Sequence, residues 1–300
     1  IHCRKRLLFF AGKDDDNFND SPHLSPGTLG YGGSPIPSAR STRFLEERWQ
    51  GQAVDRLRTA GVEGLVILGG DGSANAASVL TDMGVPCVCV PVTIDNDVWG
   101  TDYSLGFDSG VQYVRDVLVG IQETARVCRG RVFCAETLGG TSGHLALAAG
   151  LAGGADLILL PELRPAPSAV AQKVKALLDS GKEWVVIAAC EGALGSWQSG
   201  GQGVAFTYGA EIERVTGVRT RVTIIGYAMR GAAPTSFDAN LGQLMGKRAV
   251  ELLREGKANQ LVVFRGNRLG SIDLASIEGK TKELHPDQVA LARVRNCLVG

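Results

Sequence analysis

The sequence offers no disulfide framework and no metal-binding cluster. Its seven cysteines (Cys3, Cys87, Cys89, Cys128, Cys134, Cys190, Cys297) are odd in number, scattered, and form no C-x-x-C pair. That excludes a zinc ribbon and reads as the reduced thiols of a cytosolic protein. The four histidines (His2, His23, His144, His285) are equally dispersed. An excess of one charge is also missing: 31 Lys plus Arg against 31 Asp plus Glu leaves a net charge of zero. A nucleic-acid partner held by a general basic excess is therefore not expected. Long apolar runs are absent too, because the most apolar stretch, 145–160, is broken by Gly150, Gly153, Gly154 and Asp156. A membrane span needs about 20 residues, so no membrane partner is expected. No charged-then-apolar leader opens the chain and its first residue is Ile1. We expect a cytoplasmic protein whose chain is a fragment or processed product.

What is present is an ordinary globular mix, 44% hydrophobic and 21% charged, on a chain long enough for about two domains. Glycine is abundant, at 40 of 300 residues, without a Gly-X-Y period, which predicts many tight turns. Short β-rich runs at 64–68, 87–91, 131–136, 156–160, 184–190, 222–226 and 260–264 alternate with helix-period runs at 43–60, 74–83, 107–125, 170–178 and 237–255. In the last, Phe237, Leu241, Leu244, Met245, Ala249 and Leu252 share a face, and Ser236 is the expected N-cap. Most strand candidates are continuously apolar, as strands covered on both faces are. The expected fold is α/β, with doubly wound, mainly parallel sheets. Residues 1–40 show one possible strand at 6–10 and otherwise read as loop, and 195–203 reads as a surface loop.

Two segments carry chemistry. Leu65-Val66-Ile67-Leu68-Gly69-Gly70-Asp71-Gly72-Ser73 is a buried strand running into a glycine turn that opens a helix. Glycines admit a close-lying ligand, and the N–H groups of the first helical turn attract anions, which makes a phosphate cradle. Asp71 would repel phosphate without a cation between them, so Mg²⁺ is the natural third party. Taken alone, the segment fits a plain capped turn equally well. The second, Cys87 to Asp97, is a buried strand ending in Thr93-Ile94-Asp95-Asn96-Asp97. Ligands collect outside the carboxyl ends of strands in open α/β sheets. Asp71 and Asp95 or Asp97 could then face one crevice, one carboxylate holding a metal while another accepts a proton, as phosphoryl transfer requires.

Gly69-Gly70-Asp71-Gly72-Ser73, and Pro91-Val92-Thr93-Ile94-Asp95-Asn96-Asp97 followed by Gly100-Thr101-Asp102-Tyr103-Ser104-Leu105-Gly106-Phe107, resemble the two signature segments of the 6-phosphofructokinase family. Further matches follow in order: Gly32-Gly33-Ser34 through Ser38-Ala39-Arg40, Arg131 leading to Glu136-Thr137-Leu138-Gly139, Glu191-Gly192, and Arg221 through Gly226-Tyr227-Ala228-Met229-Arg230-Gly231 to Pro234 and Phe237-Asp238. The resemblance covers about residues 32–270. It implies a donor domain of residues 1–107 plus 229–279 and a sugar-phosphate domain of 108–228 plus 280–300. It also implies phosphoryl transfer from ATP, or alternatively pyrophosphate, to the 1-hydroxyl of fructose 6-phosphate with Mg²⁺ as cofactor.

The roles the resemblance implies are these. Asp95 is the base, flanked by Thr93 and Asp97. Asp71 holds the metal, and Arg40, Gly70, Gly72 and Ser73 meet the donor phosphates. Arg131, Arg221, Arg230 and Tyr227 hold the 6-phosphate, with Leu138, Gly139 and Glu191 at the sugar. Guanidinium forks suit a phosphate dianion and carboxylates suit hydroxyls. Arginines equivalent to Arg131 and Arg221 cross a subunit interface in the family, which implies a homodimer or homotetramer.

Four departures accompany the likeness. The family's opening glycine turn has no match in residues 1–31, which we expect to reflect a truncated or misread start. Gly140 stands where the family usually has arginine, a loss that points to weakened catalysis or a regulatory, sugar-phosphate-binding member as the alternative. Tyr227 replaces a common histidine and keeps a hydroxyl donor. Gly72 is the residue of ATP-dependent members, whereas Val92 matches neither donor class, so ATP is favoured and pyrophosphate remains open.

Overall fold

A computed structural model describes residues 30–33, 43–195 and 203–300, together with the backbone of 6–10. Arg40 and most of the expected N-terminal and 195–203 loops lie outside the described residues. The chain divides into two units, residues 1–93, 97–106 and 233–282 forming one, and 94–96, 107–232 and 283–300 the other. The division expected from sequence has its breaks after 107, 228 and 279 and leaves 94–96 with the first unit.

The first unit is built on a five-stranded sheet, β1 (Arg6–Phe10), β2 (Val62–Gly69), β3 (Cys87–Pro91), β8 (Gln260–Arg265) and β9 (Arg268–Asp273), in that spatial order. The first four run parallel and β9 returns antiparallel on β8. Successive residues of β2 and β3 serve opposite faces. Leu65, Ile67, Cys87 and Cys89 pack with Val54 and Leu57 of α1 (Glu47–Thr59) and Ala74, Ala77 and Leu80 of α2 (Asp71–Asp82). Val66, Val88 and Val90 pack with Leu241, Met245, Ala249 and Leu252 of α7 (Ser236–Arg254). Two covered faces are why these strands are apolar without alternation.

In the second unit the order is β5 (Leu157–Leu159), β6 (Trp184–Cys190), β4 (Arg131–Thr137), β7 (Thr220–Ile224), all parallel. One face packs on α5 (Pro167–Asp179) and α6 (Val204–Thr216) through Val170, Val174, Tyr208 and Ile212. The other is covered by α3 (Phe107–Val127) and α4 (His144–Ala152). The approach of α4 is close enough that a Cβ on Gly150 would lie 2.8 Å from Ile158. Helix α8 (Pro286–Val294) packs against α4.

Several elements differ from their sequence expectation. Helix α2 begins at Asp71, three residues early, because an acidic first turn suits the helix dipole. The N-cap of α7 is Thr235, whose hydroxyl accepts the Asp238 N–H at 3.2 Å, and not Ser236. Strand β7 lies two residues earlier than expected, at a sheet edge where Thr223 and Ile224 are exposed. Helix α4 gives no 3.6-residue signal because it is apolar and buried all round. Strand β9 is half-buried and weakly apolar. Its signal is the Gly266-Asn267 turn, both residues at positive φ, as a two-residue hairpin requires.

Candidate active site

In the first unit, β2 and β3 end side by side, Gly69 in register with Pro91 and its carbonyl accepting the Val92 N–H at 3.0 Å. Gly70 and Asp71 therefore emerge next to Val92 and Thr93, and a Cβ on Gly70 would sit 3.7 Å from Thr93. Gly69 has no alternative, since a Cβ there would meet the Ser73 side chain. Asp71, Gly72 and Ser73 form the first turn of α2, at its positive end, where the Ser73 N–H donates to the Gly70 carbonyl at 2.9 Å. Thr93 is fastened through its N–H to the Leu105 carbonyl at 3.1 Å and through its carbonyl to the Ser104 hydroxyl at 2.7 Å. Partial burial and the like charge of Asp97 lift the Asp71 carboxyl above the ordinary carboxylate range.

Two mutually repelling carboxylates on one loop pair suit a divalent cation, and Mg²⁺ is usually bound by one or two carboxylates plus substrate phosphates. Among the described residues no three His, Cys, Asp or Glu side chains converge to cage a metal alone. The donor set thus fits Mg²⁺ held by Asp71 together with the phosphates it serves.

Asn96 turns the segment between Asp95 and Asp97 by adopting φ 52°, a left-handed conformation asparagine tolerates. Residues 94–96 pack with the second unit, while Thr93 and Asp97 stay with the first. The Asp95 carbonyl accepts the Ser142 hydroxyl at 3.2 Å. Around the buried Cys190, Glu191, Glu162 and Asp95 add negative charge to the effect of burial, which pushes the thiol up to about 12.

Leu138–Gly140 and Glu191–Gly192 follow β4 and β6, whose ends are aligned by the Thr137–Cys190 register. Gly139 and Gly140, at φ 144° and 57°, direct successive N–H groups onto Glu191 Oε1 at 3.2 and 2.9 Å. The carboxylate implied for the sugar is thus seated on a backbone fork. Only glycine fits at 192, where a Cβ would lie 1.8 Å from the Gly140 oxygen. Glu136 is buried and accepts the Ala205 N–H at 2.9 Å at the start of α6. Burial raises its pKa, as does the Glu191 charge, against the lowering effect of the Ala205 and Val204 N–H groups.

The arginines divide. Arg131 starts β4 and Arg221 lies near the start of β7, with Phe133 opposite Arg221 in register. Both are at the amino ends of parallel strands, so β4 alone carries Arg131 about 20 Å from the Leu138–Gly140 loop. Arg230 and the 81%-exposed Tyr227 lie in the 3₁₀ turn Gly226–Gly231, beyond the carboxyl end of β7. Among the described residues none of the three guanidiniums is ion-paired, leaving each available to an anion. The structure thus gathers Asp71, Thr93 and Asp97, gathers Asp95, Gly139 and Glu191, and leaves Arg131 and Arg221 at the far end of their sheet. The motifs did not point to Ser142, to Glu162, which accepts the Gly143 N–H at 2.7 Å, or to Lys282. Ser142 lies just past the Glu136–Gly139 motif, whereas Glu162 and Lys282 have no motif neighbour, and only its strand-end position could have flagged Glu162.

The sequence profile described as Phosphofructokinase matches residues 17–253. The chain is 42% identical over 255 residues to an ATP-dependent 6-phosphofructokinase of Clostridium tetani, covering 84% of this chain and 77% of that one. It is 35% identical over 273 residues to a pyrophosphate–fructose 6-phosphate 1-phosphotransferase of Dictyoglomus thermophilum, covering 86% and 79%. Among solved structures, phosphofructokinase from Saccharomyces cerevisiae superimposes with a TM-score of 0.71 at 27% identity, over 84% of this chain and 37% of the yeast chain. The chain belongs to the phosphofructokinase family.

Proposed function

We propose that this chain is a 6-phosphofructokinase that transfers the terminal phosphoryl group of ATP to the 1-hydroxyl of fructose 6-phosphate. The observation that carries the reading is the split of one motif. Thr93 and Asp97 stand with the glycine turn and Asp71, while Asp95 stands with Glu191 and the Gly139–Gly140 fork. In this reading the sugar 1-oxygen attacks the γ-phosphorus and the bond from that phosphorus to the β-phosphate oxygen breaks. ADP leaves with the electron pair, and the hydroxyl proton passes to the Asp95 carboxylate. Asp71 holds Mg²⁺, which offsets charge on the donor phosphates when bound. Gly70, Gly72 and Ser73 line the seat of those phosphates, joined by Arg40, with Thr93 and Asp97 flanking the base.

On the acceptor side Leu138, Gly139 and Glu191 orient the sugar, and Arg230 and Tyr227 meet the 6-phosphate. Arg131 and Arg221, remote from Glu191 along their own sheet, serve the site of a second copy, so the working species is a homodimer or homotetramer. The activity belongs in the cytoplasm, where the six free cysteines of the described residues persist as thiols. No described helix is long and apolar enough to cross a membrane.

Gly140, which offers no side chain to a phosphoryl group in flight, favours a second reading, a weakened member that binds sugar phosphate. A coupled assay with fructose 6-phosphate, offering ATP and pyrophosphate separately, decides among the readings. ATP-supported formation of the bisphosphate is expected, and Asp95→Asn should cut turnover by about 10²–10⁴-fold, the usual worth of a general base, with sugar-phosphate binding intact. An Asp95→Asn chain running at full speed removes the proposed base. Calorimetric binding without turnover from either donor favours the regulatory reading.

A further inference from the structure

Lys282 is a partly buried lysine that no part of the proposed mechanism uses. Its Nζ donates to the backbone carbonyl of Asp102 at 2.8 Å. Burial lowers its pKa to about 8, with Asp102 and Asp97 drawing it back upward. The loop it holds is fastened on its other side to the β8–β9 hairpin: the Asp102 N–H donates to the Phe264 carbonyl at 2.8 Å, and the Asp102 carboxylate accepts the Gly266 N–H at 2.8 Å. The same loop carries Asp97, whose charge acts on Asp71. One ammonium is thereby tethered by a carbonyl next to the acidic residues that must admit a polyphosphate. A carbonyl tether requires only an N–H donor. The attraction to Asp97 and Asp102 requires a positive charge, and that charge also favours an incoming anion.

We propose that Lys282 is a positioning residue for the donor. Its ammonium, seated on the Asp102 carbonyl, fixes the 97–102 loop and offsets the Asp97 carboxylate, so that a metal-bound polyphosphate can settle beside Asp71. The inference rests on the phosphotransfer reading, and it concerns the donor and not the sugar. It distinguishes a charge requirement from a hydrogen-bond requirement.

The test compares Lys282→Gln, Lys282→Met and Lys282→Arg in the full chain. Calorimetry measures affinity for MgATP and for magnesium pyrophosphate, and steady-state kinetics measures KM for MgATP and for fructose 6-phosphate. Gln and Met are both expected to weaken MgATP about tenfold, in the range of a single charge contact, whereas Arg stays within about threefold. KM for fructose 6-phosphate is expected to be unchanged. Full affinity in Lys282→Gln overturns the proposal, because the carbonyl tether alone would then suffice. An equal loss for donor and sugar, or no loss in any variant, overturns it too. Should the Met variant fail to fold, the Gln and Arg pair decides. A wild-type chain that binds MgATP without turnover defeats the kinase reading, while the calorimetric comparison still decides Lys282. A wild-type chain that binds neither donor overturns both.

Discussion

The two units both end parallel strands in glycine-bearing loops, yet they distribute their charged residues differently. In the first unit β2 and β3 are neighbours, so the glycine turn, Thr93, Asp71 and Asp97 collect at one sheet edge. In the second unit Glu191 and Gly139 meet at the carboxyl edge, while Arg131 and Arg221 occupy the amino edge of the same sheet. Asp71 and Asp97 repel each other in the first unit, whereas among the described residues Arg131 and Arg221 make no ion pair and stand at the opposite end of their sheet from Glu191. On the function proposed above, donor recognition would be local to a chain and recognition of the 6-phosphate would depend on assembly.

The sharpest way to break this contrast is Asp71→Asn. It should lower kcat/KM for the donor by about 10³-fold, comparable to losing a preorganised electrostatic contact, and leave calorimetric affinity for fructose 6-phosphate unchanged. Equal damage to both substrates would mean that the two units do not divide the labour. Next comes Arg221→Ala, expected to raise KM for fructose 6-phosphate about 10–100-fold, from the roughly 1.5–3 kcal/mol of a charged hydrogen bond. Co-expression with Glu191→Gln chains should regain part of the lost activity, because hybrid assemblies then contain some intact sites. If no activity returns, Arg221 does not act in a second copy.

Gly72→Asp probes the donor side more gently. A Cβ at Gly72 meets nothing within 4 Å and the residue lies in an acid-tolerant first helical turn, so folding should survive. The added carboxylate should lower use of ATP relative to pyrophosphate, measured as the ratio of the two kcat/KM values. An unchanged ratio would show that the donor's α-phosphate does not pass this position.

The smallest expected effect is on stability. Glu136 has a raised folded pKa, chiefly from burial. The folded state therefore binds its proton more tightly than the unfolded one. That contribution is full below the ordinary value of 4.5 and is lost as pH rises through the raised value. The Tm of wild type relative to Glu136→Gln should accordingly be highest in acid and decline with rising pH. A difference in Tm that does not vary with pH would contradict the assignment.

Legibility followed the range of the interactions. Strands β3 and β6 were readable to the residue, because five to seven consecutive apolar residues between turns have few other solutions. Helix α4 was hidden by being apolar on every side, and β9 by being a half-polar edge strand. The Gly70–Ser73 segment was legible as a glycine turn opening a helix, since glycine and helix-start residues act locally. Lys282 could not, since its relevance comes from Asp102, 180 residues away in sequence.

By itself, the amino-acid sequence determined the parallel α/β class, the glycine turn with its acid, and the acidic run after β3, because periodicity and turn chemistry act within a few residues. Only the tertiary structure decided that the acidic run is shared between two units, that Arg131 and Arg221 stand at the amino edge away from Glu191, and that Lys282 reaches the Asp102 carbonyl. Register between strands and the charges facing a group through space are set by packing across the whole chain, and no local pattern encodes them.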